Sequence, residues 1–393
     1  MLLTRASVNH NNGEVFIFAI RQYRPETFRM LLDQGISYKA LFTAINEALK
    51  TSRTSRRAVF ADLIGRLQFD HLNTALKHVI LEADTDLPLA KSLLEAGAEA
   101  THENGVCIKN AASNLDRDTL GLLTEYSGTH DSIFTQSMAG VVNRGKQWIA
   151  FEHVEVMELL VRGGASTQVI NKAVVEVIDT LACKQSQIDL ANRFLDIFFA
   201  AGADVNCENG KPVGIAASRG DPVLLARLLS NGASSMTSTH ALSTAIMAHH
   251  EENLLLRLID VFADRRTAAP DVNQSIPGMP SPIFLCLKSY PKSLDLLDSL
   301  VGAGCDLEST VLSDVCPEEE STEKKVRAGS FDEPVTVLLW TLLLRNSQID
   351  PAVVNGLVRH GGKCLPSLEQ MSCTNRINQP TSRMRRRELT LRL

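Results

Sequence analysis

Packed α-helical hairpins are what this sequence predicts, an all-α fold class, and three observations lead there. Residues 202–233, GADVNCENGKPVGIAASRGDPVLLARLLSNGA, read as one unit of turn, short helix, tight turn, longer helix and glycine stop. The frame recurs. From Gly210 the doublet Leu228-Leu229 lies eighteen and nineteen positions on and the stop Gly232 twenty-two; from Gly13, Leu31, Leu32 and Gly35 fall at the same distances. A hydrophobic content of 44% with only 5% aromatic residues builds an interior from Leu, Ile, Val and Ala, which suits small packed helices better than a sheet sandwich.

Each step of the 202–233 unit has a cause. Asn209-Gly210 is the strongest short turn signal. Pro212 falls where a first helical turn accepts a residue without an N–H. Ile215, Ala216 and Ala217 make a small-residue helix, which Arg219-Gly220-Asp221-Pro222 breaks. Val223, Leu224, Leu225, Leu228 and Leu229 then form the buried face of a second helix. Gly232 ends it in the left-handed conformation of a helix C-cap.

The remaining units follow in order. Residues 5–35 pair an inner helix at 15–21 with an outer one at 25–32. Residues 36–70 place helices at 41–49 and 58–67, joined by a polar loop at 51–57. Residues 71–98 carry 72–81 and 89–94, and the 99–128 unit ends on a helix at 119–126. GAEATHENG closes at Gly105 as GADVNCENG closes at Gly210. The 129–165 and 166–203 units are longer, with extra residues near 144–151 and 184–189, where surface loops accept insertion at small entropic cost. Residues 234–266 supply helices at 241–249 and 254–262, and 271–307 a ninth unit. The pattern lapses at 313–334, an acidic and polar insertion expected to be disordered. A degenerate helix pair is expected at 335–364, with helices at 335–344 and 351–358, and a polar, basic tail at 365–393.

The LLxxGA endings at Leu93–Ala98, Phe198–Ala203 and Leu228–Ala233 resemble those of the ankyrin repeat, a turn plus two antiparallel helices of about 33 residues. Looser copies end at Ala165, Gly35 and Gly361. The T-P-L-H signature is degraded: Lys211-Pro212-Val213-Gly214 stands in its place, and only Ser281-Pro282-Ile283-Phe284 comes near it. The resemblance spans 5–312 well and 334–364 weakly, and is similar to the degenerate arrays of large filamentous-fungal ankyrin-repeat proteins. It implies an ankyrin-type solenoid of nine to ten helix-turn-helix repeats, and a protein-binding function on a concave side.

Composition bounds the function. The formal net charge of −5 offers no basic face for nucleic acid. The longest apolar run, 335–344, is about half a membrane span. Residues after Met1 lack the apolar core of a signal peptide. A cytoplasmic or nuclear monomer, binding neither nucleic acid nor membrane, is expected. The eight cysteines form no CxxC and no Cys/His zinc spacing, and read as buried thiols. No HExxH, GxSxG or P-loop pattern occurs, so neither a catalytic residue nor a cofactor nor a metal site is implied.

Stacking must expose the turn tips and the polar positions of the inner helices. The candidate partner-binding residues are therefore Asn9, His10, Asn12, Arg21, His102, Glu103, Asn104, Asn114, Glu208, Asn209, Lys211, Arg219, His249, His250 and Tyr290. Trp148, in an inserted loop, is added as an exposed aromatic anchor. Arg383 to Arg387 admit an import signal, and the 318–320 glutamates a partner-binding loop. The expected function is a non-enzymatic protein-interaction scaffold. One alternative is the ligand-selecting portion of a larger signalling or sensor protein; another is an enzyme with its site in 313–334 and the last helix pair.

Overall fold

A computed structural model describes residues 8–22, 24–181, 188–263, 269–273, 280–307, 310–311, 335–336 and 349–361. The protein is all-α. Among the described residues the sole strand pairing is a two-residue antiparallel ladder, Thr310–Val311 with Val335–Thr336. The chain divides into two compact units, Met1–Ala203 and Asp204–Leu393.

The first unit holds α1 (Glu14–Arg21), α2 (Pro25–Asp33), α3 (Tyr38–Leu49), α4 (Arg53–Leu63), α5 (Phe69–Leu81) and α6 (Leu87–Glu95). It continues with α7 (His102–Ser113), α8 (Arg117–Ser127), α9 (Asp131–Val142), α10 (Val154–Arg162), α11 (Thr167–Leu181) and α12 (Ile188–Ala200). Each odd helix packs on the even helix that follows it. First helices also pack in succession, α1 on α3, α3 on α5, α5 on α7, α7 on α9 and α9 on α11. Second helices do the same at α2 on α4, α6 on α8, α8 on α10 and α10 on α12.

The second unit holds α13 (Cys207–Arg219), α14 (Pro222–Ser230), α15 (Ser235–Met247), α16 (Glu252–Ala263), α17 (Pro282–Ser289), α18 (Leu294–Gly302) and α19 (Pro351–Arg359). The packing is the same: α13 on α15 and α15 on α17 in one row, α14 on α16, α16 on α18 and α18 on α19 in the other.

The apolar spacing explains the burial. On α14 the side chains of Leu224, Leu225, Leu228 and Leu229 are all buried; burying a leucine contributes about 1.5–3 kcal/mol relative to leaving it in water. Side-chain oxygens of Ser37, Ser52, Asp86, Asp116, Asp221, Ser234, Ser293 and Asp350 accept hydrogen bonds from first-turn N–H groups, supplying partners that the helix itself lacks.

The LLxxGA endings also acquire a cause. With Gly97 at φ +104° and Gly202 at φ +83°, the following alanine N–H turns back onto the first apolar residue of the motif. Ala98 N donates to Leu93 O and Ala203 N to Phe198 O, both at 3.0 Å, which satisfies carbonyls left open at a helix end.

Four expectations need correction. The polar loop of 51–57 is only Lys50, Thr51 and Ser52 long: Ser52 caps α4 by accepting from the Ser55 N–H, so Arg53, Arg56 and Arg57 are helical. The helix expected at 241–249 begins six residues earlier, at Ser235, because Ser234 caps α15 by accepting from the Thr237 N–H. Val335 and Thr336, expected to open a helix, pair instead with Val311 and Thr310, as β-branched residues favour. The rest of that helix, Trp340, the 318–320 glutamates and the 383–387 tail lie outside the described residues. Finally, Trp148 is not an exposed anchor. It is 2% exposed, set by a 3-10 turn (Lys146–Trp148) with its ring edge-on to Phe194 at 5.5 Å.

Candidate interaction surface at the hairpin tips

Three tips are built alike. Asn11, Asn12 and Gly13 have φ of +48°, +55° and +84°; Glu103, Asn104 and Gly105 have +48°, +57° and +69°; Glu208, Asn209 and Gly210 have +48°, +58° and +76°. Three successive left-handed residues reverse the chain just ahead of the first helix proper. Glycine takes this conformation freely, asparagine tolerates it, and other L-residues incur about 1–2 kcal/mol each.

The glycine is required for a second reason. A Cβ on Gly13 would lie 2.6 Å from the Ala40 Cβ, one on Gly210 2.5 Å from Thr237 Cγ2, and one on Gly105 closer still to Ile133 Cγ2. Each tip thus presses its backbone on the first helix of the next hairpin, 27 or 28 residues on.

An asparagine four residues ahead of two of these tip glycines, Asn9 and Asn206, ties the same neighbours together, while Thr101 stands at that place in the third. Asn9 Nδ2 donates to Gly35 O (3.1 Å), and its Oδ1 accepts from Ser37 N (2.7 Å). Asn206 repeats this with Gly232 O (3.0 Å) and Ser234 N (2.7 Å), adding the Thr237 hydroxyl (2.7 Å). Asn273 does so with Gly304 O (3.1 Å) and Asp306 N (2.5 Å). One amide side chain therefore serves the stop glycine's carbonyl and the N–H two residues beyond it.

The candidate residues fall into three groups. His10, Asn12, Asn104 and Asn209 are exposed at the tips, with Glu103 ion-paired to Lys77 and Glu208 to Lys211 at 2.7 Å. His102 is half-buried, its ring edge-on to Phe69 at 6.1 Å and within 3.3 Å of the Asn73 amide. Asn114, exposed beyond the end of α7, donates to Asn110 Oδ1 at 2.8 Å. Arg219 closes α13, half-buried.

A second group braces hairpin to hairpin. Asn9 belongs here, as does Arg21, paired with Glu47 at 2.5 Å. His250 Nε2 donates to Ala217 O at 3.0 Å, and the Tyr290 hydroxyl donates to His250 O at 2.8 Å. These two bonds link three consecutive hairpins of the second unit. His249 remains exposed at φ +53°, its ring 6.5 Å from that of Tyr290. Burial raises the Tyr290 pKa, with the Cys286 thiol and Glu252 adding to it. Trp148 alone forms the third group, inside the core.

The Arg21 hydrogen bond holds the Glu47 carboxyl below the usual carboxylate range; burial opposes it, and the Arg21 and Lys50 charges add to it. A carboxyl depressed on folding contributes stability above its unfolded pKa, near 4.3, and loses it as pH falls through the lower folded value. Glu47→Gln is expected to flatten the acid limb of the thermal midpoint below about pH 5. An unchanged slope would show the pair to be inert.

Sequence reasoning missed the residues behind the tips: Glu47, Asn73, Lys77 and Thr237. The signal for Asn206 was present, since Asn9 stands at the matching position. The side-chain chemistry otherwise points to packing. Burial pushes the Cys107, Cys286 and Cys305 thiols to about 12 and Cys207 to about 11, far from a thiolate nucleophile at neutral pH. Among the described residues no group of three or more His, Cys, Asp or Glu side chains is placed to hold a metal ion. No described helix is long and apolar enough to cross a membrane. In comparisons with known proteins, no family model matches the chain and no curated protein matches it.

Proposed function

We propose that the chain is an ankyrin-type solenoid acting as a non-enzymatic scaffold, which binds a protein partner through its tips and the adjoining polar positions of its first helices. One observation carries this reading. Glu103, Asn104, Glu208 and Asn209 hold left-handed backbone conformations that favour glycine, and their side chains stand exposed. Backbone strain of this kind clusters at ligand clamps and other functional segments. The glycine that ends each tip, joined by Asn206 ahead of the second, fixes its geometry before any partner arrives, which lowers the ordering cost of binding.

Affinity capture with crosslinking tests the reading: crosslinks to Glu103 and Glu208 support it, and crosslinks confined to 313–334 or to the tail overturn it. A second arm uses the strain itself. Glu208→Asn, which imports the residue found at Asn11, is expected to raise stability by about 0.5–1 kcal/mol while weakening partner capture. Higher stability with capture unchanged would assign the strain no role in binding.

A further inference from the structure

Three consecutive hairpins of the first unit present a ring followed by a carboxylate where their first helix starts. These are Phe69-Asp70 at α5, His102-Glu103 at α7 and His130-Asp131 at α9, 33 and 28 residues apart. Because α5 packs on α7 and α7 on α9, the pairs follow one another along the tips. Phe69 is 47% exposed; Asp70, Glu103, His130 and Asp131 are exposed and His102 is half-buried. Tyr38, at the start of α3, is 46% exposed, and its hydroxyl donates to Asp70 at 3.4 Å.

A carboxylate in a first helical turn is what the helix dipole favours, and by itself it points to no ligand. The rings do. An exposed aromatic side chain is the kind of surface that anchors a partner. Phe151, 52% exposed, shows what such a ring takes in this chain: the Arg193 guanidinium lies 5.7 Å from its centroid, within reach of cation–π attraction. Among the described residues Phe69 carries no such cation, yet a carboxylate stands beside it.

The charge along the row is of one sign. The first turns of α5, α7 and α9 hold Asp70, Glu103 and Asp131 and neither lysine nor arginine. Lys77 engages Glu103, whereas Asp70 and Asp131 join no ion pair among the described residues. Lys39, exposed beside Tyr38, belongs to the hairpin before the row. We infer that this row docks an extended segment of a protein partner rich in lysine or arginine, each cation resting on a ring and pairing with the carboxylate that follows it. Packed helices lie about 8–10 Å apart and an extended chain advances about 10 Å in three residues, so basic residues at every third position meet successive pairs. The inference rests on the scaffold reading and names the chemistry of the partner.

Fluorescence anisotropy of a labelled peptide of repeating Arg-Gly-Ser, titrated with the full chain, tests the inference. Binding is expected, weakening as salt rises, and a peptide of repeating Glu-Gly-Ser is expected not to bind. Phe69→Ala, Asp70→Asn and Asp131→Asn, each with unchanged circular dichroism, are expected to weaken binding about three- to tenfold. Asp260→Asn, at an exposed position on α16 of the second unit, leaves it unchanged. No binding of the arginine peptide, equal binding of the glutamate peptide, or binding indifferent to all three variants overturns the inference. So does tighter binding by a full chain carrying Arg383→Ser, Arg385→Ser, Arg386→Ser and Arg387→Ser, which would make the chain's own tail the occupant. A captured partner crosslinked to Glu103, with no binding of the arginine peptide, would overturn this inference and leave the scaffold reading standing. Should one variant misfold, the other two decide.

Discussion

Trp148→Ala is expected to destabilise the first unit by about 3–5 kcal/mol, the range for deleting a buried aromatic side chain. Trp148 lies between α9 and α10 but packs on α12. Its ring meets Phe194 edge-on at 5.5 Å and Phe198 at 6.5 Å, and these two phenylalanines stack on each other at 6.0 Å. All three side chains are buried. Truncation removes one of three mutually contacting buried rings and leaves a void in the core. The indole Nε1 is buried without a protein hydrogen-bond partner, so Trp148→Phe forfeits no such bond and should cost far less than alanine. Urea unfolding followed by circular dichroism measures both. A loss below about 1 kcal/mol for the alanine variant would return Trp148 to the surface.

The second large effect is at Gly210. Alanine there must hold φ +76° and fit a methyl 2.5 Å from the Thr237 Cγ2 and 3.0 Å from its hydroxyl oxygen. The left-handed conformation costs about 1–2 kcal/mol and overpacking against a buried side chain about 1–3 kcal/mol, so Gly210→Ala should lose about 2–5 kcal/mol. Gly232→Ala separates the two contributions, because Gly232 has φ +94° and no atom near its missing Cβ; it should lose only the conformational part. Thr237→Ser removes the methyl that the new side chain at position 210 would strike, so combining it with Gly210→Ala should recover part of the loss, a coupling expected of residues in contact. Equal losses at Gly210 and Gly232, without recovery, would mean that the tip does not press on α15.

The repeat frame was legible because its markers are local. Asn-Gly turns, leucine doublets and glycine stops lie within one unit, and the structure puts Gly35, Gly97, Gly202 and Gly232 at positive φ where the frame places stops. What escaped depends on the neighbouring unit or on a single cap. Asn206 in the sequence is one more turn residue; only the next hairpin, 26 to 31 positions on, reveals what its amide holds. The start of α4 turned on Ser52, whose capping competes with the run of arginines that reads as a loop. Those arginines serve the next hairpin: Arg56 pairs with Glu82 at 2.8 Å and Arg57 with the buried Asp86 at 2.6 Å. Trp148 sits in an irregular segment with no periodicity to show which way it faces.

The tips divided in the same way. Their exposure followed from the pattern, whereas the bracing roles of Arg21, His250 and Tyr290 needed coordinates. Most of the polar bridges named above join residues about 26 to 34 positions apart, close to one repeat. A surface built this way keeps its shape through contacts behind it, leaving the residues at its edge free to differ from unit to unit.

The most direct test of hairpins pressed together at their glycine tips is methyl-labelled NMR. Nuclear Overhauser contacts are expected from Gly13 Hα to the Ala40 methyl, from Gly105 Hα to an Ile133 methyl and from Gly210 Hα to the Thr237 methyl. A folded spectrum showing none of the three would contradict the account.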